Sequence, residues 1–185
     1  MANTFKQDLS ESTKMYSSYV APAINRLIKG YMITVEGRTE DELAHLLDTS
    51  AGIDLFNIRP EGIAGVASRI QKGRNWRTFT VRLRRDSGAK TEYEKRVYAI
   101  KNGLLYPLFT FQAYVDDNRL AGMAVVRTVD LMEYIKDERP ILRHTGDDKI
   151  GGASFYAVEW DKLRRCGYKV AEYDACRDRV LSNAP

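Results

Sequence analysis

Seven cationic side chains stand in one short stretch, residues 69–85, which contains no acidic residue. They are Arg69, Lys72, Arg74, Arg77, Arg82, Arg84 and Arg85, and Trp76 stands among them. A guanidinium group matches the oxygens of a phosphate, and an exposed indole can stack on an unpaired base. The stretch therefore predicts contacts with a nucleic-acid backbone, and Lys90 extends the predicted surface. Binding of this kind is sensitive to salt and carries little sequence information.

The charge of the chain is uneven along its 185 residues, although the net charge is only +4. Residues 1–68 carry a net charge of −3, residues 69–101 carry +8 and residues 102–185 carry −1. Such clustering points to a polyanion, here DNA, more strongly than the overall charge does. The alternative is that the cations form ordinary solvated faces of strands and a helix.

Composition excludes several classes of protein. With 44% apolar and 29% charged residues, the chain is typical of a globular domain. No stretch is apolar enough for a membrane span and no signal-peptide core is present, so we expect a cytoplasmic protein without membrane partners. Two cysteines and two histidines, widely separated, argue against a zinc site. No pattern indicates a Ser-His-Asp or Cys-His nucleophile, a P-loop or a dinucleotide fingerprint.

Periodicity and turn residues predict the elements that position the basic stretch. Apolar residues at helical spacing predict a helix over 12–29, and a strand over 31–37 precedes a second helix that starts at Thr39. Three strands follow, over 52–58, 62–71 and 77–85. We expect the last two of these to form a hairpin with Trp76 at its tip, and alternation along the third strand to place Arg82 and Arg84 on one face.

The second half of the chain alternates between helices and strands. The predicted elements are a helix over 91–103, a strand hairpin over 105–116 and 120–128, a short helix over 130–136, a loop over 141–153, and a strand–helix–strand unit over 154–174 with a frayed tail beyond Arg179. Gln112 stands among apolar strand residues, and a buried glutamine must be hydrogen-bonded. It could order a site or simply pair within the sheet.

This order of elements indicates an α/β or α+β protein with a mixed central β-sheet flanked by helices. We divide the chain into an N-terminal extension (1–38), a core (39–127) and a C-terminal addition (128–185) that packs on the same domain.

The order helix–strand–strand–strand–helix–strand over 39–127 resembles the core of the PD-(D/E)xK superfamily. That superfamily contains the restriction-endonuclease-like nucleases and the Holliday-junction resolvases. The run GIDLF places Asp54 where the first core strand of the family opens with an aspartate, and Glu40 or Glu42 stands where a helical glutamate often assists. The resemblance implies that Asp54 and Glu40 hold Mg²⁺, which stabilises charge on a phosphate during hydrolysis.

The second core strand departs from the family pattern, because VASRIQ contains neither a carboxylate nor a lysine. Side chains alternate along a strand, so Arg69 and Gln71 share a face and Gln71 takes the place of the usual lysine. The candidate catalytic residues of an altered nuclease are thus Asp54, Glu40, Glu42, Arg69 and Gln71. The missing carboxylate favours the interpretation in which the fold has lost its metal site and only binds nucleic acid or a partner protein, without cleaving it.

The sequence leaves several functions open. The first is a DNA-binding protein with a nuclease-like fold, in a phage or mobile-element setting, which hydrolyses phosphodiesters with Mg²⁺ if its metal site is intact. The alternative is a non-catalytic interaction module, in defence or counter-defence, that binds an acidic protein partner. A third is an unrelated α/β interaction protein. Since many nucleases of the superfamily are dimers, the resemblance also implies a homodimer.

Overall fold

Ten strands and several short helices make up the part of the chain that the structure describes. This structure, a computed structural model, describes residues 13–35, 42–85, 88, 90–140, 142–145, 153–175 and 179–181. The strands are β1 (Tyr31–Thr34), β2 (Leu55–Arg59), β3 (Gly62–Lys72), β4 (Thr78–Arg85), β5 (Phe109–Asp116), β6 (Arg119–Arg127), β7 (Leu142–Thr145), β8 (Ala153–Glu159), β9 (Val170–Asp174) and β10 (Arg179–Leu181). The helices are α1 (Ala21–Ile24), α2 (Glu42–Leu46), α3 (Glu92–Lys101), α4 (Thr128–Glu138) and α5 (Trp160–Arg165), with π-helical turns at Tyr16–Val20 and Leu47–Ala51.

The strands form two separate sheets. A seven-stranded mixed sheet has the order β1-β2-β3-β5-β6-β9-β10, and a three-stranded sheet has the order β4-β8-β7. In the large sheet β3 and β5 are parallel, and every other neighbouring pair is antiparallel. The prediction of an α/β protein with a mixed central sheet flanked by helices is confirmed. Strands from both predicted terminal regions, β1, β9 and β10, belong to the same sheet as the predicted core.

The predicted hairpin between residues 62–71 and 77–85 is wrong. One edge of β3 is paired with β2 and the other is paired in parallel with β5, so β3 has no edge left for β4. Parallel strands need a crossover connection, and here β4 and α3 provide it. The chain leaves the large sheet after β3, and β4, which begins just after Trp76, pairs with β8 in the small sheet instead. The tryptophan therefore lies in a connection between two sheets and not at a hairpin tip.

Apolar side chains cover both faces of the large sheet. On one face the N-terminal helical segment packs Val20 and Ile24 against Val66 and Phe111. On the other face Phe79 of β4, together with residues of α4, α5 and β8, forms a second cluster. β5 is buried along its length except at its last residue because both of its faces are covered.

Local signals located most elements. Thr91 caps α3 in a capping box, since the Glu94 N–H donates to the Thr91 hydroxyl and the Glu94 carboxylate accepts from the Thr91 N–H at 2.8 Å. Gly103 follows α3 with a φ of +62°, as expected for the residue after a helix. Asp117 and Asn118, with φ values of +46° and +58°, form the predicted turn between β5 and β6.

Several element boundaries are corrected. The predicted loop over 141–153 contains β7, which pairs with β8, and the predicted frayed tail contains β10, which pairs with β9. The helix predicted over 130–136 is longer, Thr128–Glu138, and the strand predicted over 31–37 is the shorter Tyr31–Thr34. Thr39, the predicted start of the second helix, lies outside the described residues. No described helix has both the length and the apolar character needed to cross a bilayer.

Candidate functional site

A cleft of about 470 Å³ opens where β4 departs from β3. Its walls come from both sheets, because the end of β3 stays in the large sheet while β4 and β8 belong to the small one. The lining residues are Arg69, Gln71 and Lys72 of β3, Trp76 of the connection, Thr78 and Thr80 of β4, Tyr114 of β5, and Phe155 and Ala157 of β8. Among these described lining residues there are two cations and no carboxylate.

Hydrogen bonds between the sheets form the floor of the cleft. The Tyr114 hydroxyl donates its one hydrogen to the Thr78 carbonyl at 2.9 Å. In the second hydrogen bond, of 2.8 Å, the Thr78 hydroxyl is therefore the donor and the Tyr114 oxygen the acceptor. The Gln112 side-chain oxygen accepts from the Thr80 N–H at 3.3 Å and from the Thr80 hydroxyl at 3.2 Å. The Gln112 amide donates to the Gln71 oxygen at 3.0 Å. Gln112 is only 1% exposed, which confirms that it is buried and hydrogen-bonded.

Two arginines stack on one aromatic ring at the back of the cleft. The guanidinium carbons of Arg69 and Arg82 lie 4.6 and 5.2 Å from the centre of the Phe155 ring. Glu92, the first residue of α3, contacts both residues, since its carboxylate lies 3.5 Å from the Arg69 guanidinium and accepts from the main-chain N–H of Arg82 at 3.2 Å. Burial opposes ionisation of Glu92. The charges of Arg96 and Arg69 and the Arg82 N–H outweigh that burial, so the pKa of Glu92 lies below its ordinary value.

The mouth of the cleft carries an exposed tryptophan with a cation on it. Trp76 is 54% exposed, and the Arg74 guanidinium carbon lies 4.8 Å from the centre of its ring. Lys72, at the end of β3, is exposed beside them. An exposed indole flanked by cations combines a stacking surface with positive charge.

Arg77 belongs to an internal network and does not line the cleft. Its guanidinium forms ion pairs with Glu172 at 2.5 Å and with Asp161 at 3.0 Å, and Asp174 lies 3.8 Å away. The Glu172 side chain is fully buried and also pairs with Arg164 at 2.6 Å. Arg77 has a φ of +53°, an uncommon value for a residue other than glycine. The network fixes this conformation where the chain passes from one sheet to the other.

The other predicted nucleic-acid contacts are dispersed. A register shift in β4 places Arg82 opposite Phe155 and Arg84 opposite Ser154. Residues that lie opposite each other on paired strands share a face of the sheet, whereas Phe155 and Ser154, as neighbours on β8, point to opposite faces. Arg82 and Arg84 therefore also point to opposite faces. The prediction that they share a face is therefore wrong, and the bulge is the reason. Lys90 is not among the residues that line the cleft, and its ammonium lies 5.3 Å from the centre of the Tyr98 ring. The side chain of Arg85 is outside the part of the chain that the structure describes.

Asp54 and Glu42, the described members of the predicted catalytic carboxylates, are not among the residues that line the cleft. Asp54 directly precedes β2, and its carboxylate accepts from the Ser68 N–H of β3 at 2.5 Å, which ties the two strands together. Glu42 is exposed at the start of α2, and Glu40 lies outside the described residues. Within the described ranges, no group of three or more histidine, cysteine, aspartate or glutamate side chains is placed to hold a metal ion. Asp54 and Glu42, the two described carboxylates, do not by themselves form a Mg²⁺ donor set.

Sequence reasoning missed the aromatic and acidic partners of the arginines. Phe155 and Tyr114 appear in the sequence only as apolar strand residues, and nothing local connects them to Arg69. Glu92 has a sufficient local explanation in the sequence, since an acidic residue at the start of a helix interacts favourably with the helix dipole. A signal for its second role was available, since Glu92 lies on the helix that directly follows the basic strand.

Comparison of the chain with protein-family models, curated proteins and solved structures finds no match. The cleft is therefore the feature that best indicates a function.

Proposed function

We propose that this protein binds DNA through the cleft between its two sheets. The observation that carries the proposal is the mouth of the cleft, where an indole that is 54% exposed lies under the guanidinium of Arg74. Lys72 and Arg69 line the same cleft, and no described carboxylate does. A ligand that satisfies this surface carries negative charge and presents flat aromatic rings, and a nucleic acid has both.

The energetic balance also favours a nucleic acid. More than half of the Trp76 surface stays in water in the folded protein, whereas stacking of this surface on a base is worth about 1–3 kcal/mol. Phosphate contacts add affinity by releasing counterions. The hydroxyls of Thr78 and Thr80 are used in hydrogen bonds within the protein, so contact with the ligand falls to other side chains of the cleft.

We propose binding without hydrolysis. The Asp54 carboxylate is held by the Ser68 N–H, and the Gln71 oxygen is held by Gln112, so both residues have structural partners. If the nuclease resemblance extends to activity, Mg²⁺ produces cleavage that EDTA stops and that Asp54→Ala abolishes without loss of binding. DNA that stays intact with Mg²⁺, under conditions where it binds, supports the binding-only function.

The test is fluorescence anisotropy of labelled DNA, single-stranded and duplex, over a range of salt concentrations. We expect affinity to fall log-linearly with salt, and Lys72→Ala to reduce the slope by about 0.7–0.9. Lys136→Ala is the matched control, because Lys136 is an exposed lysine on α4, outside the cleft. Absence of binding at low salt, or equal effects of the two substitutions, contradicts the proposal.

A second candidate function rests on a separate apolar groove. Leu46, Tyr98, Leu104 and Leu105 are each about half or more exposed, at 58, 56, 49 and 60%. They line a groove of about 490 Å³ together with Lys90 and Lys95, and no described acidic residue lines it. Exposed apolar patches with a charged rim mark protein-binding surfaces. This groove suits an acidic amphipathic helix.

Two synthetic helical peptides with the same leucines test this second candidate. One has glutamates on its polar face and the other has lysines. Preference for the acidic peptide, lost in Leu105→Ser, supports a protein partner. Equal binding of the two peptides, or none, rejects it.

A further inference from the structure

We propose that the cleft takes a single unpaired nucleobase, stacked on Trp76 and hydrogen-bonded by the side-chain amide of Gln71. The preferred ligand is then single-stranded or locally unpaired DNA. This inference rests on the proposed DNA-binding function and specifies its ligand.

The orientation of two amide groups follows from one main-chain donor. A backbone N–H can only donate, so the N–H of Thr80 requires the oxygen of Gln112 to face it, at 3.3 Å. The nitrogen of Gln112 must then face Gln71, whose oxygen accepts at 3.0 Å. Gln112 is buried and cannot turn toward solvent. The amide nitrogen of Gln71 is thus the polar atom that this side chain offers to the cleft.

The offered group is a donor without a partner among the described residues. No hydrogen bond joins the Gln71 amide nitrogen to another side chain or main-chain atom of the described part. Gln71 lines the cleft and is half-buried, so this nitrogen meets a ligand there. The ligand must supply an acceptor, and carbonyl oxygens and ring nitrogens of bases are acceptors.

The walls of the cleft fit a flat ring. Trp76, Tyr114 and Phe155 contribute aromatic surface, and the volume of about 470 Å³ falls within the range of small-ligand sites. Arg74 lies over the indole, which is still 54% exposed, and a base stacks on this exposed surface. Arg69 is held against Phe155 and Glu92 and serves as a fixed wall. Lys72 and Arg74, at the mouth, are placed for the adjoining phosphates.

A base in a duplex cannot occupy this position. Its two faces are stacked on neighbouring pairs and its hydrogen-bonding edge is paired, so it must be unpaired to reach both Trp76 and Gln71. Binding that depended on phosphates alone would not distinguish duplex from single strands in this way. The cleft therefore predicts a preference that a purely electrostatic surface does not have.

The experiment compares three labelled probes: a thymidine dodecamer, an abasic dodecamer with the same phosphates, and a twelve-base-pair duplex. We expect the thymidine probe to bind the wild-type protein at least about tenfold more tightly than either other probe. Trp76→Ala should remove most of this difference. Gln71→Ala, which adds no charge, should weaken thymidine binding about fivefold and leave the affinity for the abasic probe unchanged. Lys136→Ala should behave as the wild type.

The outcomes separate the inference from the function on which it rests. Equal binding of all three probes, with steep salt dependence, overturns the base site and leaves DNA binding in place. If Gln71→Ala weakens the thymidine and abasic probes equally, Gln71 does not contact a base and the inference fails. If no probe binds at low salt, the proposed function itself fails. Circular dichroism of each variant checks that the fold is retained.

Discussion

Gln112→Met removes the hydrogen bonds that Gln112 makes to β4 and Gln71 while keeping a side chain of similar length. Gln112 is 1% exposed, accepts two hydrogen bonds from Thr80 and donates one to Gln71. In the variant the Thr80 hydroxyl and the Gln71 amide can turn toward water in the cleft. The main-chain N–H of Thr80 cannot, so it loses its acceptor.

The expected cost follows from this one stranded donor. A buried donor left without an acceptor costs about 1–3 kcal/mol, and methionine fills the space of the lost amide so that little cavity forms. We therefore expect the free energy of unfolding to fall by about 1–3 kcal/mol. Urea unfolding, followed by tryptophan fluorescence, measures it as a lower midpoint at unchanged slope.

Thr110→Val is the matched control on the same strand. It removes a buried hydrogen bond of 3.0 Å between the hydroxyls of Thr110 and Thr128, neither of which lines the cleft. We expect a comparable loss of about 1 kcal/mol in stability. Only Gln112→Met should also reduce discrimination between the thymidine and abasic probes, because only it frees Gln71 to turn. An unfolding free energy within about 0.5 kcal/mol of the wild type for Gln112→Met would refute the reasoning.

Three further predictions concern the scaffold. Arg77→Ala should lower the free energy of unfolding by about 1.5–3 kcal/mol in urea titrations, because the buried Glu172 carboxylate then keeps only Arg164 as an ion-pair partner among the described residues, and adding Glu172→Gln should restore part of the loss. Asn118→Ala should cost about 1–2 kcal/mol, since Asn118 has a φ of +58°, while Asn118→Gly should cost nothing in the same assay. The pKa of Glu92 is lower in the folded than in the unfolded protein, so its ionised carboxylate stabilises the fold at pH values above the unfolded pKa. This stabilisation is lost as the pH falls through the folded pKa. The unfolding free energy of Glu92→Gln should therefore depend less on pH below about pH 5, and an unchanged profile would contradict the role of Glu92.

Elements with strong local signals could be predicted from the sequence. The capping box of Thr91 and Glu94, the glycine after α3, and the Asp117-Asn118 turn each act over a few residues, so their patterns are visible without knowledge of the rest of the chain. Continuous apolar runs likewise located β3 and β5. The physical cause of these elements lies within their own segments.

Strand pairing could not be predicted in the same way. Whether β4 pairs with β3 depends on whether β5, more than 35 residues further along, takes that edge of β3 first. β7 and β10 have four and three residues, and their partners β8 and β9 stabilise them. The cleft exists because β3 and β4 separate, so its location depends on these non-local pairings.

The sequence shows how many cations the basic stretch contains. It does not show which of them can contact a ligand and which form ion pairs inside the protein. Arg77 is neutralised by Asp161 and Glu172, which lie 84 and 95 residues away in sequence. The Arg69 guanidinium is paired with Glu92, which lies on the helix after β4. Seven cations acting together on a single strand give a salt slope of about −5, whereas Lys72 and Arg74 alone give about −1.4. A measured slope near the smaller value indicates that the cleft mouth binds DNA while Arg69 and Arg77 stay in their internal ion pairs. A slope near the larger value shows instead that these ion pairs open when DNA binds.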